Sequence, residues 1–145
     1  MSPAFEITKF IHVVCAVIFV GINVASFFYI SFSAKHYHPK VFNYALRANF
    51  FGDILSLILI LILFGTAGYL VPAAGFSLAT PWIRVAYSAL GLVTIIWIID
   101  VILKYKSYKA NKLSCPRFYT SINILMFIIF IVIIHDAVMH RTWFA

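Results

Sequence analysis

Residues 7–31 run Ile-Thr-Lys-Phe-Ile-His-Val-Val-Cys-Ala-Val-Ile-Phe-Val-Gly-Ile-Asn-Val-Ala-Ser-Phe-Phe-Tyr-Ile-Ser, with no charge after Lys9. A hydrocarbon core about 30 Å thick is crossed by about 20 apolar residues in a helix. This stretch is long enough to do so, and most folds in water have no place for it. His12 sits within its first turns. A metal-capable side chain at that depth carries a desolvation cost and calls for a role.

The rest of the chain repeats the pattern. Of 145 residues, 64% are hydrophobic and only 10% charged, against about 25% charged in a soluble domain. No soluble core of this size holds that apolar surplus, so lipid is the expected solvent and the main partner. The formal net charge of +7 does not point to nucleic acid, because the basic residues cluster in short loops between apolar runs. That distribution speaks of membrane topology and anionic lipid. Residues 1–6 lack a basic n-region, so residues 7–31 are expected to stay as a first span rather than be removed as a signal peptide.

The spacing predicts four helices, at about 7–31, 47–71, 82–104 and 118–140, forming one domain over 1–145. The fold class is all-α: a membrane-embedded, up-down-up-down four-helix bundle joined by short loops. Eight of the 11 Lys and Arg residues fall on one side of such a bundle, including Lys35, Lys40, Lys106, Lys109, Lys112 and Arg117. Lys9, Arg84 and Arg141 remain for the other. The positive-inside rule then makes the basic loops cytoplasmic and both termini periplasmic, for a multi-pass protein of a bacterial inner membrane. Tyr69, Trp82, Tyr105, Tyr108, Tyr119 and Trp143 fall where an interfacial aromatic belt lies. Cys15 and Cys115 are far apart in this topology and form no CxxC pair, so neither a disulfide nor a thiolate metal site is expected.

His12 and His135 lie at similar depth from the terminal side, on helices 1 and 4. If those helices face each other, the two imidazoles ligate one iron from opposite sides. His12 shares a face with Ala16, Phe19, Asn23 and Ser26, a small and polar stripe of the kind that turns inward. Arg84, Ser88, Gly91 and Ile95 form a comparable face on helix 3. Ala16, Ser88 and Gly91 leave room for a flat macrocycle, with Arg84 and Lys9 at the water boundary for its propionates. Two histidine ligands suit electron transfer. Zinc fits less well, since no third or fourth ligand is visible at that depth. Copper held by His12, His135, Met139 and His140 is an alternative. A lone His near a helix end also serves as an interfacial hydrogen-bonding residue, and His36 and His38 read as loop residues. His135 and Asp136 lie about 100° apart on the helix and need not pair. Asp53 and Asp100 are open to two readings: a proton-entry or ion site, or pairing with Arg47, Lys104 or the Asn49 amide. Gly65-Thr66-Ala67-Gly68 reads as close packing.

Lys9-Phe10-Ile11-His12, followed by Phe19 and Gly21, resembles the Lys-x-x-His…Trp-x-Gly opening helix of a group of small bacterial membrane proteins. The group includes the HemJ-type protoporphyrinogen oxidases, the CopD-type membrane domain and a broad family of predicted integral membrane proteins. Arg47, Asp53, Gly65, Thr66 and Gly68 are similar to that last family's second helix, and Trp82, Tyr87, Gly91 and Trp97 to its third. The resemblance implies a haem b ligated by His12. Phe19 stands where the group has Trp, no Arg lies late in helix 1, and Arg84 stands where the HemJ type has a lysine. An arginine does not act as a base at neutral pH.

Three functions follow as expectations. The first is a b-type cytochrome passing electrons between a quinone or a redox partner protein and an acceptor outside, with a homodimer as one way to complete its pocket. The second is a HemJ-like protoporphyrinogen oxidase of haem biosynthesis. The third is a non-catalytic metal-resistance or assembly subunit.

Overall fold

The computed structural model of the chain describes residues 2–35 and 39–139. His36, His38, His140, Arg141 and Trp143 lie outside the described residues. All regular structure among those described is helical: α1 (Pro3–Lys35), α2 (Pro39–Ala73), α3 (Pro81–Ala110) and α4 (Pro116–Met139). All four are long and apolar enough to cross a membrane.

Every helix opens on a proline. Its missing N–H is one of those left unpaired at a helix start, and its fixed φ suits the first turn. The fifth proline, Pro72, falls in the last turn of α2, which runs on to Ala73 before Gly75 turns the chain at φ 78°. Asn111 ends α3 in the left-handed region at φ 53°.

The helices are longer than the apolar runs alone predict. α2 starts at Pro39 rather than near residue 47. Leaving the hydrocarbon does not stop a helix that still has an apolar face to bury. Phe42, Ala45 and Leu46, spaced i, i+3, i+4, are all buried and carry α2 beyond the membrane-length core.

α1 packs closely on α2, and α3 on α4. In the first pair Ile22 leaves no slack at Gly52, where an added Cβ would meet its Cγ2 at 3.2 Å. The two hairpins meet through a smaller set of contacts. At the basic-loop end, α2 joins α3 through Lys104 Nζ to Asp53 Oδ1 at 2.8 Å. Arg47 Nη2 donates there to Tyr108 Oη at 2.8 Å, and Asn43 to Asn111 at 2.6 Å. α1 meets α4 through rings, with Phe19 edge-on to Phe130 at 5.7 Å and Phe27 stacked on Tyr119 at 6.1 Å. Towards the opposite, terminal end the four helices stand apart around a cavity.

Candidate functional site

The cavity has a volume of about 610 Å³ and is walled by all four helices. That lies within the range of small-molecule and cofactor sites, about 300–1,000 Å³. Its wall is almost wholly apolar. Phe19, Leu63 and Phe130 form the buried floor, and Ile83 is a buried part of the wall. Val13 on α1 and Ile134 on α4, each more than half exposed, show that it reaches the surface between those two helices. Lys9 lies at that rim, exposed.

His12 is the one imidazole among the described lining residues. Its Nδ1 stands 2.7 Å from Thr66 Oγ1 on α2. The direction of that bond follows from Thr66's other contacts. The hydroxyl carries one proton, which it donates to the Ile62 carbonyl at 2.7 Å, with the Leu63 carbonyl at 3.2 Å. Towards His12 it has only lone pairs to offer. With the Thr66 proton on the Ile62 carbonyl, Nδ1 is the N–H donor and Nε2 carries the ring's lone pair. A metal-binding histidine is commonly held this way, its second nitrogen bonded so that tautomer and ring orientation are set in advance. Thr66 was expected to serve close packing. It instead orients His12, while Gly65 and Gly68 beside it face open space.

The structure brings together Lys9, His12 and Ala16 from the expected haem site, all on the cavity wall. It does not bring in His135. The cavity-facing residues of α4 are Phe130, Ile133, Ile134 and Ala137; His135 lies about 150° around the helix from their mean direction. Its Nδ1 is 3.0 Å from Asp136 Oδ1, although the two were not expected to pair. Asp136 is fully buried, and a buried carboxylate's need for a donor outweighs their separation around the helix.

The expected α3 face also turns elsewhere. Arg84 and Ser88 are exposed, Ile95 is 57% exposed, and Gly91 faces open space. Arg84 donates to the Ala79 carbonyl at 3.3 Å instead of reaching the cavity. Small size alone suggested that this face turned inward, but charge decides the rotation of α3. Asp100 and Lys104 are buried at the basic end. Turning them inward brings Ile83, Ala86, Tyr87 and Leu90 to the cavity, about 120° from the Arg84 face.

At the basic end Asp53 pairs with Lys104, not with Arg47 or Asn49. Arg47 is engaged by Tyr108, and Asn49 donates to the Ala45 carbonyl at 3.0 Å. Tyr119, expected in the interfacial belt, is 1% exposed beneath Phe27. Both cysteines are free. No cluster of three or more His, Cys, Asp or Glu side chains occurs among the described residues. No family model, curated protein or solved structure matches the chain.

The residues of the cavity fit a tetrapyrrole with one protein ligand. Nε2 of His12 would be the ligating nitrogen, aromatic and aliphatic walls suit a flat apolar ring, and Lys9 at the rim suits a carboxylate.

Proposed function

We propose that this is a haem-b-binding electron-transfer protein of a bacterial inner membrane, with the cavity at the periplasmic face and the basic loops in the cytoplasm. The observation that carries the reading is the Nε2 lone pair of His12, held on an apolar cavity wall by the Thr66 hydroxyl. His12 would hold the iron and Lys9 a propionate, while Phe19, Trp82 and Phe130 would pack against the macrocycle. Haem held there supplies one-electron chemistry. The chain's own part is to bind, orient and keep water out. Thr66 sets the imidazole tautomer, and the Phe19–Phe130 contact closes the floor towards the membrane interior. The opening between α1 and α4 gives a quinone or another membrane-soluble donor a lateral approach.

A HemJ-like porphyrinogen oxidase is the second reading, favoured by the single imidazole among the described residues of the cavity wall. One ligand in place of two suits a tetrapyrrole that enters and leaves.

Absorption spectra of the detergent-purified protein, oxidised and then dithionite-reduced, test both. Wild type is expected to show haem bands that His12→Ala abolishes and His135→Ala leaves in place. Sharp low-spin bands lost in both variants would restore the bis-histidine arrangement. A loosely held, iron-free tetrapyrrole would favour the oxidase. A wild type still colourless after haem reconstitution sinks both and leaves the non-catalytic subunit.

A further inference from the structure

The basic end holds a second constellation that the cavity does not use. Lys104 Nζ lies 2.8 Å from Asp53 Oδ1 and 2.7 Å from Asp100 Oδ2. Asp100 Oδ1 also accepts from Asn123 Nδ2 at 3.0 Å. The side chains of Lys104, Asp53 and Asp100 are 6%, 12% and 2% exposed. Two carboxylates facing one ammonium leave a net charge of −1, well inside the helix ends. An uncompensated charge in such a place costs several kcal/mol even after relaxation.

Nothing packed around Asp53 supplies the missing positive charge among the described residues. α3 contributes Lys104 and Asp100 themselves, and α4 contributes Tyr119 and Asn123. α1 offers only the neutral Asn23 and Ser26 at this level, by its antiparallel register with α2. On α2 itself Arg47 lies almost two turns towards the loops, with its guanidinium on the Tyr108 hydroxyl and ring. A metal cation fits poorly, because Lys104 fills the gap between the carboxylates and a hard cation wants about six or more oxygens. A proton needs one lone pair.

The two carboxylates are not equivalent. Both oxygens of Asp100 are engaged, one by Lys104 and one by Asn123. Asp53 has Lys104 as its one hydrogen-bond donor among the described residues and is the more exposed. Beside them stands the Tyr119 hydroxyl, buried, within electrostatic reach of both carboxylates and without a hydrogen-bond partner among the described residues. The Ser26, Ser31 and Ser56 hydroxyls and the Trp97 indole N–H are likewise buried without a hydrogen-bond partner among the described residues. Each of the four helices thus carries at least one unengaged, buried donor. Such groups are rare in folded proteins and call for a reason.

We infer that Asp53 is a proton-binding residue of a buried exchange site, loaded from water at the basic-loop end and independent of any ligand in the cavity. The incoming proton leaves a hydronium ion and forms an O–H bond on the Asp53 carboxylate. The cluster passes from −1 to neutral, Lys104 stays an ammonium paired with Asp100, and no electron moves. When the proton leaves, the Tyr119 hydroxyl is the unengaged donor within electrostatic reach of the charge that returns.

The chain has only four acidic side chains, Glu6, Asp53, Asp100 and Asp136, so infrared spectroscopy can assign them singly. The full-length protein in lipid vesicles is titrated from about pH 5 to about pH 9, spanning the range in which ordinary carboxylates stay ionised. The expected result is a protonated-carboxyl carbonyl band that fades as pH rises. It is lost in Asp53→Asn and kept in Glu6→Gln and Asp136→Asn. Tyr119→Phe removes a donor that favours the carboxylate, so the midpoint moves to higher pH by about one unit. A wild type with no such band, or a band that persists in Asp53→Asn, overturns the inference. An unmoved midpoint in Tyr119→Phe overturns the role given to that hydroxyl. Should Asp53→Asn lose its helical circular dichroism, Asp53→Glu decides: a band at a new frequency supports the assignment and an unchanged one overturns it.

Discussion

The two ends of the bundle use the same four helices in opposite ways. At the basic end α2 and α3 are drawn together by Lys104 between Asp53 and Asp100, with Arg47–Tyr108 and Asn43–Asn111 beyond. At the terminal end the hairpins stand apart around an apolar cavity, and the polar side chains within it are few. Between helices in lipid, apolar contact has no water to escape from, so it draws helices together weakly. Buried charges of opposite sign cannot be left apart. Closure therefore follows charge, and space is left where only apolar residues line the wall.

The sharpest way to break this contrast is Lys104→Met. It leaves two buried carboxylates facing each other and should cost about 3–5 kcal/mol of stability, the range for one partner lost from a buried pair. Denaturant unfolding followed by circular dichroism measures it. Adding Asp53→Asn and Asp100→Asn to the same chain should recover most of the loss, because the penalty lies in the unpaired charge. A single variant as stable as wild type would show that charge does not hold this end closed.

At the other end, His12→Ala should abolish haem binding while lowering stability by only about 1 kcal/mol, the scale of one interhelical hydrogen bond in a membrane. Absorbance and unfolding on the same sample separate the two effects. Thr66→Val keeps the imidazole but removes the acceptor that sets its tautomer. Haem affinity should fall about 10- to 100-fold, as for other partners that orient a metal ligand, and reconstitution titrations would read it. Equal affinity in Thr66→Val would mean that the tautomer is set by something else.

The smallest effects belong to the outward face of α3. Ser88→Leu and Gly91→Ala should leave the haem spectrum unaltered and stability within about 0.5 kcal/mol, as for surface positions without special contacts. Gly91 has open space where a Cβ would go. A lost chromophore in either variant would return that face to the cavity and reverse the rotation assigned to α3.

The α1 part of the cavity's wall was legible in the chain. The stripe His12, Ala16, Phe19, Asn23, Ser26 turns inward as its small and polar character indicates. The Thr66 partner was also within reach. Antiparallel spans at 7–31 and 47–71 put residue 66 level with residue 12, and a hydroxyl in a span at the level of a histidine is the signal. His135 and the Arg84 face were misplaced for one shared reason. Depth in the membrane follows from counting residues along a helix, but rotation about the helix axis does not. With apolar residues on every side, the pattern of α3 and α4 leaves rotation free until a polar contact sets it.

The sequence by itself determined that this chain makes four membrane-length helices, and how far along its helix each polar residue lies. Those properties are local: apolar run length and a fixed rise per residue. Only the tertiary structure decided which faces meet. It turned Asp100 and Lys104 inward towards Asp53, carried Ser88 and Gly91 out, joined His12 to Thr66 and kept His135 off the cavity wall. These outcomes depend on where buried charges and hydroxyls on other helices find partners, and no single helix contains that information.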